Sequence, residues 1–136
     1  MGFLIDTCIW VDVERGKIAP ADVEIYTQED PVYISPVTIA ELTYGVEMSE
    51  NEEIRSKRTA ALERLKKKPF LIIDELTGTI FGKLAVQIFK KGHQAKHRVQ
   101  DIWLASQAIQ YNYKFLTINE KDFQDIPGLQ LVIFGR

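Results

Sequence analysis

Four oxygen-bearing side chains, spread along a chain of 136 residues, have the types and surroundings to do chemistry together. Asp6 ends the apolar run Phe3-Leu4-Ile5 and is followed by Thr7. Glu41 lies in a helical stretch with Thr38 three residues before it and Gly45 four after, so its carboxylate sits between small residues on one helical face. Asp101 opens another helical stretch, with Ala105 and Ala108 behind it on the same face. Asn119 comes two residues after Thr117, and Glu120 and Asp122 follow as further oxygen donors. Carboxylates drawn together in a partly dry cleft repel by several kcal/mol at an effective dielectric of about 20. They stay ionised there when a cation lies between them. Oxygen donors without histidine or cysteine suit Mg²⁺ or Mn²⁺ rather than zinc. Such ions activate water and neutralise phosphate oxygens in phosphodiester hydrolysis.

Each residue also has a plainer reading. Asp6 and Thr7 would cap a following helix, and Asp101 would complement a helix dipole. Glu41 would be a solvated surface acid, and Asn119 a turn residue. What favours chemistry is the arrangement that the elements impose. Short apolar runs at 3–5, 32–34, 70–73, 114–117 and 129–134 read as strands. They alternate with helices at 9–14, 20–28, 36–48, 51–68, 77–91, 99–111 and 120–124. Ser35-Pro36 is a strong helix start, because serine caps free amides and proline is pre-set at the first helical position. The stripe Ile39, Leu42 and Val46 is expected to face the core. The alternation predicts an α/β fold, a parallel sheet covered on both faces, in one domain spanning 1–136. Ligands collect beyond the C-terminal strand ends of such sheets, which places a site near Asp6, Ser35 and Thr117.

Composition excludes several classes. With 46% hydrophobic and 26% charged residues the chain is neither disordered nor membrane-spanning. Cys8 is the single cysteine, so there is no disulfide framework and no all-cysteine metal site. An acid at position 6 and no basic lead-in make the N-terminus unlike a signal peptide, so a cytoplasmic protein is expected. The net charge of −2 argues against a general nucleic-acid coat. Yet no acid occurs between Glu75 and Asp101, while Lys83, Lys90, Lys91, Lys96 and Arg98 do, leaving −7 on the remainder. That asymmetry points to an anionic partner or to a solvated basic face. His93 and His97 read as surface-loop residues. Trp10 could be core or an interface anchor, and Trp103 is expected in the core.

Four motifs in order carry a family resemblance. They are Leu4-Ile5-Asp6-Thr7 with Ile9-Trp10-Val11-Asp12 and Arg15-Gly16; Thr38-Ile39-Ala40-Glu41-Leu42 with Tyr44-Gly45; Gln100-Asp101-Ile102-Trp103-Leu104-Ala105; and Thr117-Ile118-Asn119 leading to Asp122-Phe123 and Ile126-Pro127-Gly128-Leu129. Through these the chain resembles the PIN-domain ribonucleases, and most closely the VapC toxins of toxin–antitoxin pairs. The resemblance implies a three-layer α/β/α fold whose parallel sheet of four to five strands runs in the order 3-2-1-4-5. It implies Mg²⁺- or Mn²⁺-dependent endonucleolytic cleavage of RNA, with transfer and ribosomal RNA both open as targets. Asp6, Glu41 and Asp101 become metal-binding catalytic acids, and Asn119 falls at the last acidic position of the family. Thr7 becomes a supporting hydroxyl, with Thr38 and Asp122 as further supporting residues. Lys90, Lys91, Lys96 and Arg98 would guide the RNA backbone.

Two departures stand out: Cys8 replaces the usual Asn or Ser, and Asn119 is neutral, which weakens a second metal position. Implied partners are RNA, a second copy of the chain and a cognate antitoxin, the last facing residues 51–68 and 20–28. A carboxylate cluster is also a natural socket for a partner's arginine or lysine. Three alternatives are a processing nuclease of the same fold without antitoxin, a silent PIN scaffold that binds a protein, and a receiver-type phosphorylation module. The last lacks paired acids after the first strand and a lysine after the last.

Overall fold

A computed structural model describes residues 1–92 and 98–135. Its elements are β1 (Phe3–Ile5), α1 (Thr7–Glu14), α2 (Pro20–Thr27), β2 (Val32–Tyr33), α3 (Pro36–Glu47), α4 (Glu52–Leu65), α5 (Glu75–Lys90), α6 (Val99–Tyr111), β3 (Lys114–Thr117), α7 (Glu120–Phe123) and β4 (Gln130–Ile133). Local chemistry sets several starts. Ser35 Oγ accepts from the Val37 amide at 3.0 Å ahead of Pro36. Asn51 Oδ1 accepts from the Glu53 and Ile54 amides at 2.7 and 3.2 Å. Each bond satisfies a donor that a helix start leaves free.

The strands are all parallel, in the order β2-β1-β3-β4. Leu4 pairs with Phe115 and Ile5 with Leu116 across β1 and β3. Strand alternation then sends these pairs to opposite faces. Leu4 and Phe115 pack with Leu84, Ile88, Ile102 and Ala105 of α5 and α6. Ile5 and Leu116 pack with Phe3, Ile9, Ile18 and Val23 on the α1–α2 side. The sheet is thus buried on both faces, which is why its strands read as continuous apolar runs.

One expected strand is reduced to a single bridge. Residues 70–73 meet the sheet only at Ile34↔Phe70, beside β2. The expected order survives with that bridge standing where an outermost strand was expected. The ladder stops where β2 gives way to α3: the Leu71 amide donates to the Ile34 carbonyl at 3.0 Å, but the next residue in register, Pro36, has no amide proton to give the Leu71 carbonyl. Gln107 Nε2 donates to the Leu71 carbonyl at 2.8 Å and Tyr111 Oη to the Ile72 carbonyl at 3.4 Å. On α3 the expected core stripe is shifted: Val46 is buried, Ile39 and Leu42 are half-buried, and Thr38 is fully buried. Trp103 is likewise half-buried, packed on Phe81 at 4.3 Å. No helix of the described residues is long and apolar enough to cross a membrane.

Candidate active site

Asp6 stands between β1 and α1, and it does not cap the helix. It occupies the N-cap position of α1 but makes no side-chain capping bond. Its Oδ2 instead accepts from Thr117 Oγ1 at 2.7 Å and from Cys8 Sγ at 3.3 Å. Thr117 ends β3, the strand beside β1, so the carboxylate is fixed from the neighbouring strand. The same Thr117 oxygen accepts from the Asn119 amide at 3.0 Å, which orders the turn after β3. Asp6 is 6% exposed. Burial raises its pKa above the ordinary value, against the lowering effect of the Thr117 and Cys8 bonds. Burial beside that carboxylate pushes the Cys8 thiol up to about 12, so it stays protonated and can donate.

Glu41 is not a free surface acid. Thr7 Oγ1 donates to Glu41 Oε1 at 3.0 Å. Thr7 and Thr38 oxygens lie 2.9 Å apart. The one Thr7 proton goes to the carboxylate, so Thr38 donates to Thr7. Two buried hydroxyls in series thereby hold Glu41 in place, from α1 and from its own helix. Burial raises the Glu41 pKa, and the charge of Asp6 adds to the rise.

Asp101 lies in the first turn of α6 and is half-buried. Burial, then the charges of Asp6 and Asp122, raise it to about 6; Arg98 opposes the rise and Glu41 adds to it. Asp6, Glu41 and Asp122 thus all act on Asp101 although the four come from separate places in the chain. Asn119 is exposed and its side chain makes no capping bond on α7. From α7, Asp122 acts on Asp101.

Among the described residues no three His, Cys, Asp or Glu side chains form a closed metal cage. The donor set is nevertheless that of a hard, hydrated ion. Mg²⁺ keeps several waters and takes one or two carboxylates, so an open group of acids that raise one another's pKa suits it. Asp6, Glu41 and Asp101 are the residues that could hold it.

The expected RNA-guiding residues divide. Arg98 is paired: its guanidinium meets Asp125 at 2.7 Å, with 16% of the side chain exposed. The partner carboxylate is part-buried and 27 residues away. Lys91 Nζ reaches the Asp125 carbonyl at 3.3 Å, and Lys90 is exposed at the end of α5. Lys96, His93 and His97 lie outside the described residues.

A groove of about 510 Å³ between α1, α3 and α4 was not foreseen as a unit. Trp10, Val11, Leu42, Leu62 and Leu65 give it an apolar floor, and Arg15, Arg58, Arg64 and Lys68 a basic rim. Thr7 and Glu41 line it as well, so it reaches the Glu41 side of the site. The Trp10 indole N–H is buried without a partner among the described residues. Residues 20–28 do not line the groove; α4 does. The apolar spacing of Leu62 and Leu65 could have pointed to it, but which helix they face is set by tertiary packing.

A family model for the PIN domain matches residues 3–129 of the chain. The chain belongs to the PIN-domain family. Within it, the chain is 34% identical over 136 residues to "Ribonuclease VapC1" of Rickettsia felis, covering 97% of this chain and 96% of that protein. It is 32% identical over 135 residues to "Ribonuclease VapC" of Rickettsia bellii, with the same coverage of 97% and 96%. Among solved structures it is similar to VapBC2 from Rickettsia felis bound to a DNA fragment from the promoter, with a TM-score of 0.85, 25% identity and 98% of each chain covered. The expected family and fold are thus found, and the receiver-type alternative falls.

Proposed function

We propose that the chain is a metal-dependent endoribonuclease and the toxin of a toxin–antitoxin pair. The observation that carries the reading is the placement of Asp6, Glu41 and Asp101 in one field, each with its pKa raised. Buried acids in mutual repulsion destabilise an empty site and favour a cation. Bound there, Mg²⁺ or Mn²⁺ would acidify water and neutralise charge on the scissile phosphate.

The chain's own residues do the positioning. Thr117 and Cys8 fix one oxygen of Asp6. Thr38 and Thr7 orient Glu41 from one side. Asp101, raised to about 6, must give up its proton for the full negative charge of the site to develop. With a water nucleophile the RNA 2′-hydroxyl is a spectator. End-group analysis tests this: 5′-phosphate ends on the downstream fragments support it, and 2′,3′-cyclic phosphates overturn it.

The cognate antitoxin is the proposed occupant of the α1–α3–α4 groove. The groove fits a segment with an apolar face, carboxylates for the basic rim and an acceptor for the Trp10 N–H. This exposed groove favours the toxin over a processing nuclease without antitoxin, and the intact acids favour an enzyme over a silent scaffold. A homodimer is part of the proposal: Phe70, Ile72 and Leu76 are 43%, 66% and 53% exposed, an apolar patch a second copy would cover. Transfer or ribosomal RNA is the proposed target class, and the cytoplasm the proposed compartment.

A further inference from the structure

Two neighbouring elements of the site carry acids that repel, and one side chain ties them together. Arg98 is the N-cap residue of α6, one turn before Asp101. Its Nη1 donates to Asp125 Oδ2 at 2.7 Å and its Nη2 to Asp125 Oδ1 at 2.9 Å. Nη2 also donates to the main-chain carbonyl of Asp122. The Arg98 and Asp125 side chains are both 16% exposed, so the fork is largely shielded from water. From the end of α5, Lys91 Nζ adds a bond to the Asp125 carbonyl at 3.3 Å. Both ends of the connection between α5 and α6 are therefore pinned to the turn after α7.

That turn needs a grip. α7 has only 4 residues, far too few to be stable by themselves. Its apolar anchors are Phe123, which packs on Phe115 at 4.6 Å, and the buried Ile126. These hold one side. The other presents Asp122, whose charge acts on both Asp6 and Asp101. Like charges on α6 and α7 push the two elements apart unless something offsets them.

The grip is also not what an ion pair kept for stability alone would look like. The Arg98 Nε–H is buried without a partner among the described residues. Buried pairs with an unmet donor add little net stability and can cost some. What the fork does supply is geometry, since a guanidinium fixes two acceptors in one plane.

We propose that Arg98 is a positioning residue for the acid site: by gripping Asp125 and the Asp122 carbonyl from the start of α6, it holds α7 in place and keeps Asp122 beside Asp101. The proposal rests on the reading of these acids as a divalent-ion site. Outer residues of that kind typically change metal affinity or activity by about 10- to 100-fold when removed.

The test uses the full chain with Arg98→Gln, Arg98→Lys, Asp125→Asn and the Arg98→Gln/Asp125→Asn double variant. Two readouts are taken: amide hydrogen exchange across residues 119–125, and the Kd for Mn²⁺ by electron paramagnetic resonance. Either single neutralisation should speed exchange in that segment and weaken Mn²⁺ about 10-fold. The double variant should be no worse than either single, because both break one pair. Arg98→Lys should recover only part, since a point charge cannot replace the fork; it also carries the test if Arg98→Gln does not fold. Unchanged exchange in Arg98→Gln overturns the proposal. So does faster exchange with Mn²⁺ affinity at the wild-type value, which would make the pair structural only. A wild-type chain that binds no Mn²⁺ overturns the ion-site reading instead, and exchange alone then decides whether Arg98 grips α7.

Discussion

Thr117 donates its hydroxyl proton to Asp6 Oδ2 at 2.7 Å, across 111 residues of chain. The bond joins the ends of two adjacent parallel strands and fixes the most buried carboxylate of the site. Thr117→Val keeps the shape and removes the donor. It should destabilise the fold by about 1.5–3 kcal/mol, the range for hydrogen bonds to charged groups. Urea unfolding at neutral pH checks this. An unchanged midpoint would mean that the bond holds nothing.

The pH dependence of the ion-free chain follows from Asp101. Its pKa is raised in the fold from 3.8 to about 6. A raised acid favours the fold while protonated, so its contribution is full below about 3.8 and is lost as pH rises through about 6. Asp6 and Glu41 shift in the same direction. Without divalent ions, Tm should therefore fall as pH rises through this window, and Asp101→Asn should flatten the fall. Differential scanning calorimetry in EDTA tests the slope. A rising Tm over that window would contradict the arrangement.

Added Mn²⁺ should reverse that loss. The carboxylates must be deprotonated to bind, so protection should grow through the same window and be accompanied by proton release. The check is the Tm shift at fixed Mn²⁺ as a function of pH, for wild type and for Asp6→Asn. Equal shifts in the two chains would place the ion elsewhere.

The Thr38–Thr7–Glu41 series makes a narrower prediction. Thr7→Val removes the proton that Glu41 receives at 3.0 Å. Cleavage should slow by about 10- to 100-fold, the range for outer residues at metal sites, with the fold retained. Single-turnover kinetics and circular dichroism together check it.

Much of this site was legible in the sequence, for a physical reason. Asp6 follows an apolar strand, Glu41 sits on a helical face with Thr38, and Asp101 opens a helix; each position within its element is set by near neighbours in the chain. The pairings that join them are not local. Thr117 with Asp6, and Arg98 with Asp125 27 residues on, depend on which strands and helices lie side by side. A charge count therefore gives no sign that Arg98 is paired with Asp125. The groove was hidden for the same reason, since its floor comes from three helices. Residues 70–73 have strand composition, yet the ladder beside them ends at Pro36, which has no amide proton, and Gln107 takes the Leu71 carbonyl instead.

The most direct test of the central claim is cleavage of end-labelled total small and ribosomal RNA by the purified chain. It is run with Mg²⁺ or Mn²⁺, with EDTA, and with Asp101→Asn. Discrete fragments that require both the ion and Asp101 are the predicted result. Cleavage that persists in EDTA, or in Asp101→Asn at the wild-type rate, would contradict it.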